Sequence, residues 1–237
     1  MFVTSKGIVL HRTKYSDTSI IVKIFTEEFG TQSFIVKNAF SKKSKINQYY
    51  FSSLALLEIT FDDHFLHKLS FLKDVNYLTH YKTIPFDPSK NAILFFYNEL
   101  FYKLLYSSFE DKSLFRLLES ALLELDNSDT FKADIHLCFM VDLLQCLGIS
   151  PENDYSEHRP YFSIEDNRFV NISQDNHLYL TLDGSHYFSR LLDHNTDVLP
   201  PKQIRNEVLL GMVNYLIVNN EHIHTIDSIH VLMDLMK

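Results

Sequence analysis

Thr31-Gln-Ser-Phe-Ile-Val-Lys37 runs without a break into Lys37-Asn-Ala-Phe-Ser-Lys-Lys-Ser-Lys45, a strand-like segment followed by four lysines and no acid in nine residues. β-Branched and aromatic residues between turn-like stretches read as a strand. The lysine run leaves the sheet. Taken alone, such a run is a solvated turn, so its meaning depends on what lies on either side.

Upstream, Val3 to His11 and Thr18 to Thr26 are short and β-branched, and Tyr15-Ser16-Asp17 between them reads as the turn of a hairpin. Glu27-Glu28-Phe29-Gly30 is a second turn, with Gly30 free to take a positive φ. Downstream, Ser53 to Phe61 and Lys68 to Tyr77 supply two more strands around Asp62-Asp63-His64. Five short strands in the first third suit a small closed barrel. The five-stranded OB barrel, whose sheet face and loops bind oligonucleotides, is the expected fold.

After Tyr81 the period changes. Asp87 before Pro88 is a helix start, a capping carboxylate with proline at the first helical position. Asn91 to Phe109 is apolar on most sides, while Leu114, Leu117, Leu118, Ala121, Leu122 and Leu125 trace one face of a second helix. A third helix near Phe131 to Leu147 stops at Gly148, with Pro151 behind it. Residues 151 to 182 are polar and turn-rich, with short strands expected at Tyr161-Phe162-Ser163 and at His177 to Thr181. Helical spacing returns at Ser185 to Leu192, Ile204 to Val218 and Asp227 to Met236. The fold class is therefore α+β: an N-terminal five-stranded OB-fold barrel over residues 1–80, then a mainly α-helical domain over 81–237 with an insertion around 150–182.

A chain of 237 residues with 46% hydrophobic and 14% aromatic side chains can bury a proper core. The net charge of −8 is unevenly spread: up to residue 80 there are ten Lys and Arg against seven Asp and Glu, and beyond it twelve against twenty-three. An acidic total does not exclude a nucleic-acid partner when the positive charge is grouped. Cys138 and Cys146 fall eight apart in one helix, about 12 Å between backbones, too far to bridge, so both are expected as reduced core residues. Neither a signal peptide nor an apolar run of membrane-spanning length is visible, which points to the cytoplasm.

Lys6-Gly7-Ile8-Val9-Leu10, Tyr15-Ser16-Asp17-Thr18, Phe25-Thr26-Glu27-Glu28-Phe29-Gly30 and the Lys37–Lys45 run, in that order and spacing, resemble the start of the bacterial RecO family of recombination mediators. Leu147-Gly148-Ile149-Ser150-Pro151 resembles the family's helix end before its middle insertion. Leu216 to Met236, with His222 and Ser228-Ile229-His230-Val231-Leu232, resembles its last two helices. The resemblance implies binding of single- and double-stranded DNA, annealing of complementary strands, and a nucleoid-associated role in repair. It implies RecR, RecA and the single-strand-binding protein as partners. The acidic, apolar tail of the last would dock on the helical domain, where the available cations are Lys90, Lys103, Lys112, Arg116 and Lys132. Many members carry a four-cysteine zinc site in the insertion, but Glu152 to Asn176 contains no cysteine here.

From the residues themselves, Lys37, Lys42, Lys43 and Lys45 are candidates for phosphate contacts, with Arg12 and Lys14 extending the patch and Phe40 or Tyr49 offering a stacking face. The connection is expected to project over the barrel rather than fill it. No metal is expected: His222, His224 and His230 lack a full ligand set, and Asp62-Asp63-His64 reads as a hairpin tip. The local signatures of phosphate-loop, zinc-protease and serine-hydrolase enzymes are missing, and no cofactor is implied. Two classes remain: a DNA-binding mediator without catalytic turnover, and a protein-interaction adaptor on which the basic loop is merely solvated.

Overall fold

Strands β1 (Phe2–Lys14), β2 (Ile20–Thr26), β3 (Gly30–Val36), β4 (Leu56–Asp62) and β5 (Ser70–Tyr77) close into a barrel in the order β1-β2-β3-β5-β4. The computed structural model describes residues 1–105, 110–127, 133–171 and 178–236, and the chain divides into the compact units Met1–Asn127 and Ser128–Lys237. β1 serves two partners, pairing its first half with β4 and most of its length with β2; an irregularity between Val9 and His11 lets it turn from one to the other. Gly7 of β1 packs tightly against β2, where a Cβ would fall 2.6 Å from Ile24 Cγ2. Gly30 takes φ +64 at the β2–β3 turn, as expected, and its carbonyl accepts from Thr26 Oγ1 at 2.7 Å. Alternate residues of the strands point inward, so Val9, Val22, Ile24, Phe34, Leu57, Ile59, Phe61 and Val75 form the barrel core. The expected barrel is present, and among the described residues six α-helices follow it.

The first unit also contains α1 (Pro88–Leu104) and α2 (Lys112–Asn127). Asp87 caps α1 as anticipated, accepting from the amides of Ser89 at 2.8 Å and Lys90 at 3.2 Å. Asn98 of α1 donates to Leu10 O at 2.9 Å, Lys23 of β2 donates to Leu105 O at 3.1 Å, and the Phe25 and Phe115 ring centres are 5.5 Å apart. Asp126, at the end of α2, accepts from the amides of Lys82, Thr83 and Ile84 at 2.9 to 3.1 Å and fastens the segment leaving the barrel.

In the second unit, α3 (Ile135–Cys146) ends in a Schellman motif: Gly148 at φ +69 donates to Gln145 O and Ile149 to Leu144 O, both at 3.0 Å. Cys138 and Cys146 are half-buried thiols on this helix. The polar stretch then folds into a hairpin of β6 (Tyr161–Ser163) and β7 (Arg168–Val170), with Tyr179 bridging to Ser163; His177, expected in a strand there, lies outside the described residues. Phe162 packs on Phe169, Phe188 and Tyr215 at centroid distances of 5.2, 4.7 and 5.9 Å. Helices α4 (Leu182–Leu192), α5 (Lys202–Val218) and α6 (Ser228–Leu235) complete the unit. Among the described residues no helix is long and apolar enough to cross a membrane.

Candidate nucleic-acid interface

The 37–55 connection between β3 and β4 is organised by its own apolar residues. Ala39, Phe51 and Ala55 join the barrel core, and Ile46 and Tyr50 pack against it. Its backbone is tied down along its length. Ala39 N donates to Thr18 O at 2.8 Å, Gln48 N to Ala39 O at 2.9 Å, Arg12 Nη1 to Gln48 O at 3.0 Å, and the hydroxyl of Tyr81 to Leu54 O at 2.6 Å. Leu54 is held at φ +53, which a branched side chain rarely adopts, by full burial and by its amide bonded to Val9 O at 2.8 Å. The connection thus divides its labour: apolar residues plug the barrel while the lysines project from it.

The six cations named from the sequence meet different surroundings. Lys42 and Lys43 are exposed on tight turns around Ser41, and among the described residues no carboxylate pairs with either. Lys45 is exposed but sits 3.0 Å from Asp74 Oδ1. That ammonium, with the Val75 amide behind it, holds the Asp74 carboxyl below the ordinary range. Lys37 lies over the ring of Phe71, 4.6 Å from its centre. Arg12 reaches the later half of the connection through Gln48, and Lys14 sits beside Asp17 at 3.2 Å, near the turn that Ala39 grips. Phe40 is 42% and Tyr49 66% exposed, so both rings are available.

Two hollows border this surface. One, of about 460 Å³, lies under Arg12 and is lined by Ser52, Ser53, Asn91, Phe95 and Asn98. The other, of about 260 Å³, lies between the connection and β5, against Val36, Lys37, Ser44, Lys45, Phe71 and Lys73. Phe71 and Lys73 were not among the residues singled out from the sequence. Alternation counted back from Val75 would have turned both inward; an irregularity in the β4–β5 register between Thr60 and Phe61 breaks that period, so Leu72 packs against the core and Phe71 and Lys73 are exposed.

The cations considered for protein docking do not share one rim. Lys90 is buried, its ammonium 2.7 Å from Thr83 Oγ1, while Lys103, at the other end of α1, pairs with Glu99 at 2.6 Å. Lys112 and Arg116 are exposed on α2, and Arg116 Nε lies 3.4 Å from Glu27 Oε1. Lys132 lies outside the described residues.

Asp62, Asp63 and His64 converge, with ligand atoms within 4.8 Å of one another. The Met1 ammonium sits among them, 3.1 Å from Asp62 and in contact with Asp63. The His64 side chain and that ammonium pull the Asp62 carboxyl down to about 2, so the acid charge here is compensated within the fold. Asp62 also accepts from the His64 amide at 3.2 Å, the geometry of a capped turn between β4 and β5.

Family models described as Recombination protein O N terminal and Recombination protein O C terminal match residues 1–81 and 85–199. The chain is 34% identical over 177 residues to a protein named DNA repair protein RecO from Bacteroides fragilis, covering 75% of this chain and 73% of that one. A protein of the same name from Phocaeicola vulgatus is 28% identical over 241 residues, the whole of both chains, and one from Flavobacterium psychrophilum is 31% identical over 223 residues, 91% and 92% of the two. With the N-terminal match covering the closed barrel and its lysine-bearing connection, and the C-terminal match covering most of the helices, this chain belongs to the RecO family.

Proposed function

We propose that the protein is a DNA-binding recombination mediator that works without catalytic turnover, annealing complementary strands and assisting RecA loading on DNA coated with the single-strand-binding protein. Residues 1–80 act as the DNA-binding barrel and 81–237 as the region that docks protein partners, RecR among them, at the nucleoid in the cytoplasm. Family membership supports the repair role. The observation that carries DNA contact is the pair Lys42 and Lys43, exposed and facing no carboxylate among the described residues, on a connection plugged into the barrel core, with Phe40 and Tyr49 exposed nearby. Lysines fixed this way neutralise phosphates, and the exposed rings receive unstacked bases.

The test is fluorescence anisotropy with single-stranded DNA over a series of salt concentrations. Each phosphate deprived of its lysine flattens the log-log salt dependence by about 0.7, so Lys42→Ala with Lys43→Ala should flatten it by about 1.4. Adding Lys45→Ala should bring the total to about 2 at most, because Asp74 already claims part of that charge. A triple variant that folds normally and binds with unaltered affinity and slope would leave the loop merely solvated and make the protein an adaptor.

A further inference from the structure

β3 and β5 close the barrel through only two residue pairs, Phe34 with Ser70 and Ile35 with Phe71. Beyond them the strands part, and a groove runs along the outer side of β5. At one end it is the hollow shared with the lysine-bearing connection. It continues past Phe71, Leu72 and Lys73 into a second hollow of about 330 Å³, walled by Phe2, Phe65 and Leu69. Four large apolar side chains are half-exposed in this one place: Phe2 53%, Phe65 49%, Leu69 45% and Phe71 53%. A contiguous apolar patch of this kind marks a binding surface.

We infer that this groove is a base-stacking platform for single-stranded nucleic acid, distinct from the exposed pair Lys42 and Lys43, with Phe65 and Phe71 as its principal ring faces. The inference rests on the DNA-binding reading above. Charge and placement favour a strand over a protein partner. Lys73 Nζ lies 3.8 Å from the centre of the Phe2 ring and Lys37 Nζ 4.6 Å from that of Phe71, so cations stand on the ring faces in the middle of the groove. Lysine is depleted from the cores of protein interfaces, where an ammonium would be stripped of water. On a nucleic-acid surface the same arrangement is useful: an arriving base takes the ring face, and the displaced ammonium swings onto the adjoining phosphate. The carboxylates nearby do not oppose this. Asp74 is engaged by Lys45 and Asp62 by the Met1 ammonium, which leaves Lys37 and Lys73 as the uncompensated charges among the described residues of the groove.

A duplex keeps its base faces stacked inside, so the groove should serve single strands only. Phe65→Ala with Phe71→Ala should weaken binding of a dT oligonucleotide by about five- to 150-fold for each base unstacked, leave duplex affinity within twofold, and leave the salt slope unchanged. Both rings are surface residues, so circular dichroism and melting should match the wild type. An oligonucleotide of abasic phosphodiester units supplies the control: with no bases to stack, the wild type and the double variant should bind it with affinities within twofold of each other. If the wild type binds dT and the variant binds it equally well, the platform is overturned while the lysine contacts stand. Equal weakening of single- and double-strand binding also overturns it. Failure of the wild-type chain to bind any DNA would instead defeat the DNA-binding reading itself.

Discussion

Asp126 shows how much one side chain can hold. Burial alone would push its carboxyl up, but the amides of Lys82, Thr83 and Ile84 and the Thr83 hydroxyl outweigh it and hold the group below its ordinary value. A carboxyl depressed in the folded state stabilises the fold at pH values above its unfolded value, near 3.9, and loses that contribution as pH falls through the folded value. Asp126→Asn should therefore cost about 1–3 kcal/mol at neutral pH, measured by urea unfolding. The gap to wild type should hold down to about pH 5 and narrow below about pH 4; a gap that persists unchanged at pH 3 would remove the charge from the explanation. At this scale the sequence was only half legible. Asp87 before Pro88 announced its own role, since a cap and its helix are neighbours. Lys45 and Lys37 did not, because Asp74 and the Phe71 ring reach them only after the chain has closed a barrel.

Among the elements, the 37–55 connection and the β6–β7 hairpin are each held by aromatic burial. Phe51 is 1% exposed within the barrel core, and Phe51→Ala should destabilise the protein by about 3–5 kcal/mol in denaturant titration. It should also weaken DNA binding although Lys42 and Lys43 are intact; full affinity in a folded Phe51→Ala protein would mean the lysines need no support from the plug. The hairpin occupies the stretch in which many members of the family, by resemblance, place cysteine ligands for zinc. Here Phe162, Phe169, Phe188 and Tyr215 pack together instead. Elemental analysis after dialysis should accordingly find no stoichiometric zinc, and EDTA should leave the melting temperature unchanged, whereas Phe162→Ala should lower it. About one zinc per chain would sink this account. Strands β1 to β5 were readable because β-branched runs alternate with local turn signals such as Gly30. β7 was not, since three residues of an exposed-buried pattern carry no periodicity and take their order from Phe162 across the ladder.

Across the whole molecule, a net charge of −8 coexists with a basic first third, and the fold keeps that contrast useful by neutralising its acids locally. Glu119 holds the Lys6 ammonium, Asp74 that of Lys45, and Glu27 the Arg116 guanidinium, all within the first unit. Lys42 and Lys43 of the barrel connection stand outside these pairs, exposed. The plugged connection also bears on how costly recognition is. A basic loop free in solution has to surrender its conformational freedom at every encounter, and that loss is subtracted from the attraction of its charges. Here Ala39, Ile46 and Phe51 are seated and the backbone is bonded to Thr18, Val9 and Arg12 before any ligand arrives, so the ordering cost is met once, during folding. For the DNA-binding role proposed above, an acidic protein would then need few lysines, because those few are preorganised.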